Sequence, residues 1–483
     1  MSTNLDRRVL LGMAGIAGAA VVSRAASAGS LNPPPGPVAP TGKSTDQIEP
    51  RIDLLNAPAS ANVTSDASNH YIINNPGSYY LSANLAVTKN VGIMIAAQNV
   101  SLDLCGFQIA GNGTSTSTGI VAGGNCAWIG NGSLASLQIG LDDPGTAAGC
   151  TLSHLRSTQC SQYGLGVPVG STVQYCVAEH NAGVGIYAAN YCSLTDCTAE
   201  SNADLGFSAN EAITFARCKA SRNTAGGFRV FGDSVLTDCT ATLNGTSLSP
   251  ASAGISCQIQ CVLSRCNSSD NYARYGFDVG YTCVLTDCIA GNNYGSTSGN
   301  FSGGIRAAGS CRISGCLAVA NQGGGGMPTA GAGISVGVDC RIEDCQAISN
   351  DGNGIIVDGA GCVLTGCGSN SNRFDGIAVN AGSTSVVENQ CAQNGASGIH
   401  VQSGSATVVE RNHLLDNVAI GLQIDSTVCF AFGNLARSNP TNYSIVAGNR
   451  IGQIVVMATN ASAISGNSGG VAVTTDPYCN IAF

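Results

Sequence analysis

Cys176-Val-Ala-Glu-His-Asn181, Cys197-Thr-Ala-Glu-Ser-Asn202 and Cys218-Lys-Ala-Ser-Arg-Asn223 succeed one another at intervals of 21 residues. Cysteine and asparagine stand five places apart in each. The pair recurs at 239/244, 266/271, 288/293, 316/321, 345/350 and 367/372. Asn389 and Asn412 then take the cysteine place, while Asn394 and Asn417 keep the asparagine place, and the period runs from 21 to 29 residues throughout. A period of this size marks a solenoid, because one unit is too small to bury its own apolar face and must stack on its neighbours.

After each asparagine comes a glycine and then an apolar residue, ending at Ile186, Phe207, Phe228, Ile255, Phe277, Ile305, Ile334, Ile355, Ile377, Ile399 and Leu422. Around these steps the pattern alternates, as in Gly376-Ile377-Ala378-Val379-Asn380 and Gly398-Ile399-His400-Val401-Gln402, which predicts strands with one buried face. A second alternation lies within the cysteine pairs, as in Cys283-Val-Leu285 and Cys362-Val-Leu364. A helical crossover between parallel strands takes a dozen or more residues of its own, more than these repeats spare. The chain must therefore coil so that each strand pairs with its own equivalent about 4.8 Å further on, which is an all-β parallel β-helix. The expected divisions are a leader over 1–28, a linker over 29–50, a cap and first coils over 51–100, the β-helix over 101–447, and closing coils with a second cap over 448–483.

With Pro76-Gly-Ser-Tyr-Tyr-Leu81 and Asn99-Val-Ser-Leu-Asp-Leu-Cys-Gly-Phe107 as an opening, the chain over roughly 70 to 455 resembles the right-handed parallel β-helix superfamily that includes pectate lyases and polygalacturonases. The resemblance implies the fold and leaves the activity open, since this scaffold carries lyases, hydrolases, epimerases, adhesins and fibres. Polygalacturonase-like signatures are missing apart from Asp142-Asp143, read as a loop outside the regular coils. The carboxylate cluster that a pectate-lyase-like calcium site requires is missing too. No metal and no cofactor are expected.

Composition agrees with a solenoid: 64 glycines with 5 % aromatic and 10 % charged residues suit tight turns and small interior side chains. A net charge of −9 with only Lys43, Lys89 and Lys219 as lysines argues against nucleic acid or an anionic membrane as partner. Acidic polysaccharides are repelled as well, unless arginines gather locally. At the N-terminus, Asp6-Arg7-Arg8 precedes an apolar stretch to Val22 and Ala26-Ser27-Ala28 offers a cleavage site, which resembles a twin-arginine export signal. The apolar stretch is too short for a good membrane span, so the mature chain is expected outside the cytoplasm, in the periplasm, at the cell surface or extracellular. The 23 cysteines follow the coil period and lack zinc spacing; buried thiols filling a crowded interior beside a column of alanines fit them best. The asparagines read as a turn column whose amides bond along the axis. Before the second cysteine the residues alternate in sign, Asp196, Arg217, Asp238, Arg265 and Asp287, as an ion-pair stack would.

Function is expected where coils exceed the minimal repeat. Asn244 to Ile255, Asn293 to Ile305 and Asn321 to Ile334 are lengthened at one corner, and insertions sharing a face often wall a binding surface. Beside that corner the outward column reads Tyr187, Ser208, Arg229, Ser256, Asp278, Arg306 and Ser335. Arg229, Asp278 and Arg306 are the candidate catalytic group, in which the aspartate acts as acid or base. Tyr272, Tyr275, Tyr281, Tyr294 and Phe301 are the candidate carbohydrate-stacking group. An Arg-Asp-Arg ion-pair stack accounts for the same three charges. His400 with Gln402 and Asp425 is a second, weaker candidate. The expected role is recognition of a polysaccharide or cell-surface glycan at the envelope. A polysaccharide lyase or glycoside hydrolase at Asp278, and a structural or adhesive fibre, are the alternatives. Trimerisation through an exposed end is compatible with this architecture.

Overall fold

The computed structural model describes residues 51–56, 62–113, 116–246, 251–295, 302–324, 326–456 and 478–482. The expected leader (1–28) and linker (29–50) lie outside these residues, as does most of the second cap. All regular structure among the described residues is strand. From Ile186 onward a coil carries three short strands, as in Ile186–Ala188, Ser193–Thr195 and Thr198–Glu200. Each pairs in parallel with its equivalent one coil on: Ile186 with Phe207, Leu194 with Phe215, Ala199 with Ala220. The register holds through Phe228, Ile255, Phe277, Ile305 and Ile334 to Leu422. This is the parallel β-helix that the period requires.

The interior is built from stacked columns. Isoleucines and phenylalanines of the first strand, leucines of the second and alanines of the third are all buried. Phe207 lies face to face on Phe228 at 4.7 Å, and Phe215 stands edge-on to both at 5.6 and 5.5 Å. The glycine before each first-strand residue is dictated by this packing. A Cβ on Gly206 would stand 2.7 Å from Nδ2 of Asn223 and 2.9 Å from the carbonyl oxygen of Gly227.

Three corners join the strands, and each turns on a residue in the left-handed region, for example Tyr191 (φ 62°), Asp196 (φ 54°) and Ser201 (φ 56°). The left-handed residue is therefore the one before the asparagine, not the asparagine itself as its turn propensity suggested. The corner reverses the direction of the backbone ladder. Asp270 donates forward to Gly291 at 2.9 Å, Tyr272 donates backward to Asn244 at 2.8 Å, and the N–H of Asn271 between them points inward. It donates to Oδ1 of Asn293 (3.3 Å), which also accepts Nδ2 of Asn271 (3.0 Å). Nδ2 of Asn271 further donates to the carbonyl of Ala241 (3.0 Å). The same arrangement runs from Asn181 to Asn439.

Cysteine serves the other two corners in the same way. The N–H of Cys288 donates to Sγ of Cys316 at 3.4 Å, as that of Cys340 does to Cys362. At Asn389 and Asn412 the acceptor is an amide: Cys367 N–H reaches Oδ1 of Asn389 at 2.9 Å, and Asn389 N–H reaches Asn412 at 2.9 Å. The two residue types thus exchange because both offer an acceptor. All 23 cysteines are unpaired thiols, and all but Cys105, Cys126 and Cys479 are buried. Burial pushes Cys192 up to about 11, so this thiol stays protonated and unreactive.

At the start, Ile52–Asp53 pairs with Tyr79–Tyr80, and Val63–Thr64 runs antiparallel to Ile72–Ile73, a short hairpin where a cap was expected. At the other end Asn480 returns to the column, accepting from Asn434 N–H at 3.0 Å. Asp142 is not in a loop: Ile139–Asp142 is a strand of the first face, and Asp142 accepts the Tyr163 hydroxyl at 2.6 Å.

Replacing Asn389 tests the interchange. Asn389→Ala strands the inward N–H of Cys367, and a buried orphan costs about 1–3 kcal/mol. Asn389→Cys, which restores the acceptor used in the preceding coils, is expected to lose less than half as much in a chemical-denaturation midpoint. Equal losses would show that side-chain volume, not the acceptor, sets the cost.

Candidate functional site

Strands of the first face widen around the three lengthened repeats. Its members grow from three residues at Ile186–Ala188 to nine at Ala251–Ile259, Ala273–Tyr281 and Ala330–Val338, with Ser302–Gly309 between, and return to three at Ile355–Val357. The wide patch lies in mid-helix. Segments 247–250 and 296–301, including Phe301, lie outside the described residues.

On this patch the outward column stacks in the expected order: Ser208 beside Arg229, Arg229 beside Ser256, Ser256 beside Asp278, Asp278 beside Arg306 and Arg306 beside Ser335. Arg306 Nη1 donates to Asp278 Oδ1 at 2.7 Å. Burial works against the Arg306 charge, but the bond to Asp278 outweighs it and holds the guanidinium charged. Arg229 stands two strands from Asp278 with Ser256 between them, so the expected Arg-Asp-Arg trio is an Asp278–Arg306 pair with Arg229 apart.

A cavity of about 300 Å³ opens beside this pair, lined by Arg274, Tyr275, Tyr281, Arg306, Ser335 and Asp358 among others. Tyr275 is 5 % exposed and lies between two guanidinium groups, Arg274 at 5.5 Å and Arg306 at 5.8 Å from its ring centre. Burial raises the Tyr275 hydroxyl above its ordinary pKa, so it stays a neutral donor. Tyr281 is 55 % exposed, and its ring fits over Gly309, where a Cβ would stand 3.0 Å from Cε1. Tyr272 and Tyr294 stack on each other at 5.2 Å and 24°, at the corner before the strands and off the cavity lining. Of the residues singled out in the sequence, Tyr275, Tyr281 and Arg306 line this cavity and Asp278 bonds to Arg306, while Arg274 and Asp358, which were not singled out, line it as well.

Elsewhere the charges pair off. Arg217 reaches back to Asp196 and Arg265 to Asp238, each at 2.8 Å, as separate pairs rather than a continuous alternating ladder. Exposed pairs of this kind contribute up to about 1 kcal/mol each.

Four coils beyond Arg306 on the same column stands His400, through Ser335, Ile356 and Ala378. Its Nδ1 lies 3.2 Å from Oδ2 of Asp375 and its Nε2 2.9 Å from Oδ2 of Asp425. Asp375, which sequence reasoning missed, is buried. Its Oδ1 accepts the Ser397 N–H at 2.8 Å, while its own N–H donates to Asn353 Oδ1 at 2.9 Å. A signal was available: Asn353, Asp375 and Ser397 are polar at a position that is mostly apolar or glycine in earlier coils, such as Leu205, Gly226 and Ala253. Burial depresses the His400 pKa, but the bonds to Asp375 and Asp425 outweigh it and leave it raised.

A family model described as "Right handed beta helix region" matches residues 91–260 and 330–481, more than half of the chain. No curated protein matches the sequence. Among solved structures, the chain is similar to a mutant of the periplasmic alginate epimerase AlgG (11 % identity, 58 % of this chain and 76 % of that one, TM-score 0.36). It is similar to the A-module of the Azotobacter vinelandii mannuronan C-5 epimerase AlgE4 (14 %, 73 % and 88 %, 0.35) and to tailspike protein 3 of bacteriophage CBA120 (10 %, 81 % and 64 %, 0.35).

The raised pKa of His400 makes a stability prediction. Its contribution is complete below the unfolded-state pKa near 6.5 and is lost as pH rises through the higher folded-state value. The melting-temperature advantage of wild type over His400→Gln is therefore expected at about pH 6 and to shrink as pH rises past neutrality; an advantage constant from about pH 6 to 9 would refute a stabilising contact of charged His400 with Asp375 and Asp425.

Proposed function

The chain belongs to the right-handed β-helix family, and from that premise we propose that it is an exported protein that recognises carbohydrate at the cell envelope, seating a sugar in the cavity bounded by Tyr275, Tyr281 and Arg306. The observation that carries this reading is the pairing of an exposed aromatic face, Tyr281, with guanidinium donors held in fixed positions by Tyr275 and Asp278. Aromatic faces bury the apolar side of a sugar ring, and fixed guanidinium donors bond its hydroxyls. The strands beneath are locked in register on both sides, so the groups are held in place before a ligand arrives.

Catalysis at Asp278 has less support. Its Oδ1 accepts Arg306 Nη1 at 2.7 Å, so one of its two oxygens already has a partner within the protein.

Retention on a panel of immobilised polysaccharides tests the reading. Tyr281→Ala is expected to weaken retention about tenfold or more, the size of an interface anchor, while Asp278→Asn, which still offers an acceptor to Arg306, changes it little. Turnover of a retained polysaccharide that Asp278→Asn abolishes would replace recognition by catalysis at this cavity. Retention of no polysaccharide would remove the function altogether.

A further inference from the structure

We propose that the binding face continues three coils beyond the cavity as a polar track for a neutral, hydroxyl-rich linear glycan and not for a uronate; this rests on the carbohydrate reading above. Three residues past the Gly-Ile step, the outward column reads Ala308, Gly337, Asp358, Asn380, Gln402 and Asp425. Ala308, Gly337 and Asp358 all line the cavity. From there on the column is polar and open to solvent, with Asp358, Gln402 and Asp425 exposed and Asn380 half-buried. Nδ2 of Asn380 donates to Oδ1 of Asp358 at 2.8 Å, so neighbouring members touch along the axis. Four strand spacings separate Gly337 from Asp425, about 19 Å. That length takes a run of sugar rings laid parallel to the helix axis.

Its far end is fixed before any ligand arrives. Oδ2 of Asp425 is held by His400 Nε2 at 2.9 Å and by Gln423 Nε2 at 2.8 Å, and His400 is held in turn by the buried Asp375. His400 is a positioning residue here: both ring nitrogens face carboxylates, and it sets where Asp425 presents its free oxygen.

Charge selects the ligand class. The track presents two carboxylates and two amides and contains no lysine. At the cavity Arg306 is already paired with Asp278, and His400 sits between the carboxylates of Asp375 and Asp425. Carboxylates and amides take and give hydrogen bonds to hydroxyls, whereas a chain of uronates would place like charges against Asp358 and Asp425.

Size-graded oligosaccharides test this by calorimetry: cello-, malto- and laminari-oligomers as neutral series, and oligogalacturonate and oligomannuronate as acidic ones. A neutral series is expected to bind with affinity that climbs with length to about five units and then levels. Gln402→Ala, Asp425→Asn and His400→Gln should each weaken the long oligomers, Gln402→Ala by about the worth of one neutral hydrogen bond, roughly fivefold, and the other two by about tenfold, and leave the shortest binders unchanged. Tighter binding of the uronates, or affinity that does not depend on length, would overturn the track while leaving recognition at the cavity intact. Binding of none of the series would overturn both.

Discussion

One backbone N–H at each corner governs the molecule. Because the left-handed residue reverses the ladder, the residue after it directs its N–H into the interior, where no backbone carbonyl lies in its path. A buried donor left alone costs about 1–3 kcal/mol, and the corner is repeated in every coil. At most corners the residue there brings an acceptor to its neighbour, although Ile213, which follows the left-handed Ala212, does not. Asparagine does this best, since its oxygen takes two bonds from one coil while its amide gives two more, as at Asn202. Cysteine does it with a thiol, and serine does it where Cys150 and Ile213 donate to Ser171 and Ser234 at 3.0 and 2.9 Å.

The glycine of each Gly-Ile step follows from the same requirement, because the amide column occupies the space a Cβ would need. Interior columns of this kind make the outer surface a separate matter. Ion pairs such as Asp196–Arg217 decorate it at small energetic weight, and the cavity residues sit on strands whose register is already secured beneath them. Local widening of the first face then creates relief on an otherwise even surface, and it is there that Tyr275, Tyr281 and Arg306 meet.

Much of this was legible in the sequence, and the physical reason is the period. Equivalent residues of a solenoid lie over one another, so the stacking of Phe207 on Phe228 and of Asp278 beside Arg306 follows from counting. Three things did not follow from counting. The left-handed residue is one place earlier than asparagine's turn preference suggests, because the demand at the next position is for an acceptor and not for a conformation. Arg274 and Asp358 join the cavity from positions next to the alternating column, through side-chain direction and the smallness of Ala308 and Gly337. Asp375 meets His400 from the preceding coil, a contact the period permits but does not require.

The asparagine column also has a consequence for how such a molecule changes size. Every coil presents the same receiving edge to the one before it and the same giving edge to the one after, so a whole unit can be gained or lost by duplication or deletion with each join remaining chemically correct. Copy number and surface decoration can then drift independently, and a lineage can lengthen its scaffold without rewriting what the scaffold displays.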